Sequence, residues 1–241
     1  MVDLSKLDQH SVGKLFDLSV LPKNSNEEDI RSGCRVAVKY NCAAFYSSST
    51  FWAPVIKEEL AGSDVLLASA VNFPFGSGSP AVKAFETEEA VKVGSRAVDM
   101  VINVGALRDK NYKVIKEELH LFKEICGDDI LTKVILETCF LNDDEIRAAC
   151  EMIAEEKIDY AKTASGQFEG PSMEDFLVMK DTLKGTPVKL KVAGVKFPRP
   201  QNAFNFIMAG ADLIGTRAAD QIIDALPKLR EIGLVPAYKP E

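Results

Sequence analysis

The chain has 241 residues, 46% hydrophobic and 27% charged, a globular balance that excludes a disordered tail and leaves either one large domain or two small ones. Its 29 Lys and Arg against 36 Asp and Glu give a net charge of −7; with no basic cluster, a duplex nucleic-acid partner is excluded, because phosphate affinity rests on clustered cationic charge. No apolar run approaches the ~18 residues that span a bilayer, and the opening MVDLSKLDQH lacks the apolar centre of a signal peptide, so a cytosolic protein off the membrane is expected.

Residues 1–14 are expected to form an N-terminal helix packed on the rest of the chain. Eight short aliphatic or β-branched runs follow, at 15–20, 42–46, 65–71, 97–104, 132–137, 158–163, 188–193 and 211–216. Their starts are 23 to 35 residues apart, close to one strand, one helix and two loops each, and no interval hides a second domain. Between the runs, apolar residues recur three and four apart, as in Ile115, Leu119 and Phe122, or Ile146, Ala149 and Ile153. The second stripe follows Asn142, with Glu145 three residues on, the spacing of a capping box. Runs such as Val134, Ile135 and Leu136 are apolar throughout, as strands covered on both faces are. Eight right-handed βα units without an edge strand close most naturally into a single-domain (β/α)8 barrel over residues 1–241; a doubly wound open sheet is the alternative.

Five cysteines, widely spaced and never paired as CxxC, read as buried free thiols. Two histidines, His10 and His120, both expected on outer helices, leave little for a histidine-bound zinc or a Ser/His/Asp triad. The stretch Gly76-Ser77-Gly78-Ser79-Pro80 lacks the third glycine and the Lys-Ser/Thr of a phosphate loop and reads as the loop after the third strand. Ser47, Ser48, Ser49 and Thr50 either line the barrel mouth or cap a helix.

In a barrel of this kind the reactive groups lie at the carboxyl ends of the strands. Asp99, Lys133, Lys162 and Lys191 stand out because each is a charge set in a strand that should be buried, where an unpaired ion costs several kcal/mol. One reading has each lysine snorkelling, or pairing with an acid such as Glu137. The other gathers them at one mouth, where desolvation and mutual repulsion lower a lysine pKa and expose a neutral, nucleophilic amine of the kind that forms Schiff bases. Asp99 is then a proton shuttle or a counter-charge. Gly194, Gly215, Thr216 and Arg217, after the seventh run and in and after the eighth, are candidates for an anion cradle, or the glycines only relieve tight turns; Lys133 is expected with them as a substrate-binding charge.

With these residues noted, the sequence resembles the deoxyribose-phosphate aldolase family of class I aldolases along essentially its whole length. The strongest matches are VDMVINVGAL at 98–107, KVILET at 133–138 and DYAKTASG at 159–166; FDLSVL, VNFPFG, LKVAG and AGADLIGT fall in the family's order around them. The resemblance implies that Lys162 is the Schiff-base lysine, Lys191 the second lysine that lowers its pKa and Asp99 the proton-relay acid. It also implies reversible cleavage of 2-deoxy-D-ribose 5-phosphate to glyceraldehyde 3-phosphate and acetaldehyde, with no metal or organic cofactor. Barrels of the family are often dimers, so a homodimer is the implied assembly. The departures lie in the anion loops. Paired glycines usually follow the second lysine, but here Gly194 is followed by Val195, Lys196 and Phe197, and Arg217 and Ala218 replace small serines. Arg217 could bind phosphate or carboxylate through paired hydrogen bonds, so a related Schiff-base aldolase for another anionic sugar phosphate or keto acid stays open. So does a non-catalytic sugar-phosphate-binding barrel.

Overall fold

The computed structural model describes residues 2–239. Eight parallel strands, β1 (Phe16–Val20), β2 (Ala44–Ser47), β3 (Leu66–Val71), β4 (Ala97–Val101), β5 (Leu131–Ile135), β6 (Tyr160–Lys162), β7 (Lys189–Ala193) and β8 (Leu213–Thr216), pair in sequence order. Pairing of β1 with β8 closes the barrel. Each strand overlaps one predicted run. The fourth run outlasts its strand, because Asn103 turns inward to cap the helix Val104–Arg108 by accepting from Ala106 N–H.

The expected N-terminal helix is instead two 3-10 turns, Leu4–Lys6 and Ser11–Leu15. Asp3 and Asp8 accept from the backbone N–H groups of Ser5 and Ser11, local bonds that compete with a continuous helix. The segment still packs on the barrel through buried Leu4 and Val12. Arg230 pins it by donating to the carbonyls of Leu4 and Leu7. Met1 and residues 240–241, included in the expectation of one domain over 1–241, lie outside the described residues.

Outward-facing strand residues such as Phe16, Leu18, Phe45, Val98, Met100, Val134 and Ile214 join the helices in one large core. The predicted capping box is present: Asn142 accepts from Glu145 N–H, and Glu145 accepts from Asn142 N–H. Cys34, Cys42, Cys126 and Cys150 are buried and free, and burial pushes their thiols up to about 12. Among the described residues no helix is long and apolar enough to cross a membrane.

A buried ion pair outside the lumen fixes the carboxyl end of β4. Lys83 Nζ lies 2.6 Å from Glu118 Oε2 and donates to Val101 O at 2.8 Å, while Glu118 Oε1 accepts from Asn103 N–H at 2.8 Å. Two helices thereby grip the backbone just past Asp99.

The inward face is unusual for such a barrel, whose lumen is normally filled by branched aliphatic side chains. In this chain Ala44, Ala68, Ala70, Ala97, Ala193 and Gly215 share that face by register with Asp17, Tyr46, Asp99, Lys133, Lys162 and Lys191. Small residues leave room for Tyr46 and the three lysines. A Cβ on Gly215 would meet Lys191 Cε at 3.1 Å.

Candidate active site

Three lysines meet on one carboxylate. Asp99 Oδ2 accepts from Lys162 Nζ at 2.7 Å and from Lys191 Nζ at 2.8 Å, and its Oδ1 accepts from the Tyr46 hydroxyl at 2.7 Å. Lys133 Nζ stands 3.7 Å from Asp99 Oδ1 and donates to Tyr46 Oη at 2.7 Å. On the other side Lys191 Nζ lies 2.7 Å from Asp17 Oδ2 and Lys133 Nζ lies 3.8 Å from it. Neither oxygen of Asp17 accepts a well-aligned hydrogen bond, and the close ion pair with Lys191 is what holds it. Adjacent registers bring the groups together: Asp99 pairs with Lys133 across β4 and β5, and Lys162 with Lys191 across β6 and β7.

Three lysines facing two aspartates leave one positive charge in excess, and the surroundings decide which amine gives up its proton. Burial lowers Lys162 to about 8, with repulsion by Lys191 adding to it and Asp99 and Asp17 opposing. Lys191 is equally buried, yet Asp17 and Asp99 together outweigh that burial and hold its pKa raised. Burial would raise Asp99, but Lys162, Lys191 and Lys133 overcome it and keep the carboxyl well below the ordinary range. The site thus holds a carboxylate, a firmly charged ammonium at Lys191 and a readily neutralised amine at Lys162. Burial lowers Lys133 as well, against Asp17 and Asp99, but Lys162 is 7% exposed against 1% for both Lys191 and Lys133, so of the two lowered amines Lys162 is the one a ligand reaches.

A cleft of about 440 Å³ opens above these groups, lined by Asp17, Tyr46, Asp99, Lys162 and Lys191 at its floor and by the loops after β6, β7 and β8 at its rim. Gly194, Gly215, Thr216 and Arg217 all line it. Lys133, expected to bind substrate, does not: it lies below the cleft floor under Tyr46, reaching no further than that hydroxyl and the two aspartates. Gly215 sits mid-strand, where its missing side chain makes room for Lys191. Gly194 has φ +75°, which glycine adopts without strain. The rim carries Lys196, Arg199 and Arg217. Lys196 pairs with Glu169 at 2.8 Å and Arg199 stacks on Phe197 at 3.9 Å.

Glu137, weighed above as a partner for a strand lysine, has another task. It is buried with φ +56° and accepts from Ser165 N–H at 3.0 Å, tethering the loop that follows Lys162. The same loop meets the β7 loop backbone to backbone at Gly170 and Gly194; a Cβ on Gly170 would fall 1.8 Å from Gly194 O. Gly170→Ala therefore forces the two loops apart. A loss of about 1–3 kcal/mol is expected, a melting temperature lower by roughly 2–10 °C in a thermal melt; an unchanged melt would show that the loops are not packed this way.

Asp17 and Tyr46 were not singled out from sequence. Asp17 satisfies the criterion that selected Asp99, an acid inside an apolar run. Tyr46 carries no such mark, since an aromatic residue in a strand reads as core. The glycine-serine stretch is the loop after β3, with Ser79 capping the next helix, and Ser49 caps the 3-10 turn Thr50–Trp52. His120 is exposed on the helix Tyr112–Cys126, while His10 is an exposed turn residue rather than helical.

Residues 12–205 match the model of the DeoC/LacD family of aldolases. The chain is 34% identical over 213 residues to deoxyribose-phosphate aldolase 1 of Mesoplasma florum, covering 88% of this chain and 95% of that one. Among solved structures it is similar to an aldolase named QR15, with TM-score 0.83 and 28% identity over 92% of this chain and 98% of the other. It shares its fold with the tetrameric deoxyribose phosphate aldolase of Aeropyrum pernix, with TM-score 0.81 and 22% identity over 94% and 95% of the two chains. A barrel whose lumen holds a lowered lysine beside a carboxylate thus coincides with a family match over most of the sequence: the chain belongs to the DeoC/LacD family of aldolases and is a carbon–carbon lyase.

Proposed function

We propose that the protein reversibly cleaves 2-deoxy-D-ribose 5-phosphate to glyceraldehyde 3-phosphate and acetaldehyde, with Lys162 as the Schiff-base nucleophile. The observation that carries this reading is the Lys162 amine, lowered to about 8 and bonded to Asp99 at the floor of the cleft. At pH 7.5 about a quarter of such an amine is neutral, against about one part in a thousand for an ordinary lysine. Neutral Lys162 attacks the aldehyde carbon of the open-chain sugar, and loss of water gives an imine whose protonated form draws electrons. Removal of the C3 hydroxyl proton then lets the C2–C3 bond break, its electron pair passing into the imine to form an enamine as glyceraldehyde 3-phosphate leaves. Protonation of the enamine at C2 and hydrolysis release acetaldehyde and free Lys162. Asp99 is the proton carrier in this reading, and Lys191 keeps the nucleophile neutral. The family's cytosolic location and homodimeric assembly belong to the same proposal.

The phosphate falls to the rim on the β7 and β8 side, where Arg217 is exposed. That arginine also favours a second reading, in which the same amine acts on a carboxylated aldehyde or keto acid. Steady-state kinetics separate the two. For the sugar phosphate, Arg217→Ala is expected to raise KM by about tenfold or more with kcat little changed, the effect of one charge-assisted contact. Turnover of a carboxylated analogue in place of 2-deoxyribose 5-phosphate would move the assignment to the second reading, and binding of either anion without turnover would leave a non-catalytic barrel.

A further inference from the structure

Tyr46 lies at the centre of the charged lumen. Its hydroxyl donates to Asp99 Oδ1 and accepts from Lys133 Nζ, both at 2.7 Å, and its ring centroid stands 4.3 Å from Lys191 Nζ. The ring packs against Ala44, Ala68 and Ala97, which hold it in place. Burial, reinforced by Asp99 and Asp17, keeps the phenol protonated.

We propose that Tyr46 is a positioning residue for the lysine pair: its hydroxyl fills one oxygen of Asp99 so that the other serves Lys162 and Lys191, and its ring seats the Lys191 ammonium. A carboxylate accepts hydrogen bonds at both oxygens, and three ammonium groups compete for this one. The phenol oxygen bonds both Asp99 Oδ1 and Lys133 Nζ, and that ammonium stands 3.7 Å from Asp99 Oδ1, so Lys133 is served by the phenol rather than by the carboxylate. The ring adds a cation–π contact in a water-poor site, where such contacts are strongest. It favours the charged form of Lys191, the charge whose repulsion lowers Lys162.

The charged and titratable groups around the Lys162 amine are Asp17 on β1, Tyr46 on β2, Asp99 on β4, Lys133 on β5, Glu137 just beyond it, Tyr160 on its own strand and Lys191 on β7; β3 and β8 bring only the apolar Leu66, Ala68, Ala70, Leu213 and Gly215 to that face. Loss of the Tyr46 hydroxyl removes a donor from Asp99, whose charge then holds the Lys162 proton more tightly. Loss of the ring weakens the charge on Lys191. Both changes raise the pKa of Lys162, so the acid limb of the kcat/KM profile moves to higher pH.

The proposal rests on Lys162 being the Schiff-base amine, and the test separates the two. Wild type, Tyr46→Phe and Tyr46→Leu are compared by pH–rate profile with 2-deoxyribose 5-phosphate and by borohydride reduction with acetaldehyde, the adduct on Lys162 being read by mass spectrometry. The phenylalanine variant keeps the ring, and therefore the packing. It is expected to lose about tenfold or more in kcat with KM nearly unchanged and to shift the acid limb upward by about half a unit or more. The leucine variant should shift it further. A limb that stays at the wild-type pH in Tyr46→Phe overturns the positioning role, whatever the fall in kcat. No adduct in the wild type overturns the Schiff-base reading itself and the role of Tyr46 with it.

Discussion

Lys162→Met is expected to reduce turnover of 2-deoxyribose 5-phosphate by roughly four orders of magnitude or more, the scale of losing a covalent nucleophile, while making the barrel more stable at neutral pH. The catalytic part follows from chemistry, because methionine fills similar space but cannot form an imine and Lys191 is held charged by two aspartates. The stability part follows from charge. With Lys162 gone, Lys133 and Lys191 face Asp17 and Asp99 and the lumen is balanced. In the wild type the folded pKa of Lys162 is about 8, against an ordinary value of 10.5, so the unfolded chain binds that proton more tightly than the folded one. Wild-type stability from this group is therefore lowest below pH 8, rises across the window from 8 to 10.5 and is level above it. Urea denaturation at pH 7 and pH 10 should show the variant ahead at the lower pH and most of that lead gone at the higher. A variant that keeps turnover refutes the nucleophile, and an equal stability gap at both pH values refutes the lowered amine.

The barrel was legible because its signals are local and repeated. Eight apolar runs at near-regular spacing need only strand periodicity to be read, and Asn142 with Glu145 carries its helix start within four residues. The charged lumen was half legible. Asp99, Lys133, Lys162 and Lys191 betray themselves as ions inside apolar strands, yet nothing local says which lysine touches what; that depends on register between β4, β5, β6 and β7. So Lys133, assigned to substrate on the same grounds as Lys162, proves to lie under Tyr46. It sits two residues before Ile135, the register partner of Lys162, and thus one layer deeper in the barrel. Tyr46 was hidden because its partner is 53 residues away and because an aromatic side chain fits a core equally well. The pair of Lys83 and Glu118 was hidden for a related reason, since charged residues on amphipathic helices ordinarily face water.

Asp99→Asn tests the other half of the site, and here two effects of the same charge work in opposite directions. Asp99 is the counter-charge for Lys162 and Lys191 and stands within 3.7 Å of Lys133. Removing its charge leaves three buried amines facing Asp17 alone, and a loss of about 3–5 kcal/mol at neutral pH is expected, as when one partner of a buried ion pair is deleted. The loss is relieved most easily by deprotonation, so the Lys162 pKa, which Asp99 now supports, should fall below 8. Stability of the variant should then recover as pH rises, because its folded form no longer needs the protons that the unfolded chain still binds up to about 10.5. More of the amine is neutral at pH 7, so imine formation with acetaldehyde, read by borohydride trapping, should be at least as fast as in the wild type. Cleavage needs a proton carrier as well, and turnover should fall by about 10²–10⁴, the usual contribution of a positioned acid or base. Trapping preserved while turnover collapses would assign Asp99 to proton transfer after imine formation. Trapping and turnover falling together, with the acid limb moving to higher pH, would instead mean that Asp99 is needed to form the imine, and the division of labour between carboxylate and amine would have to be redrawn.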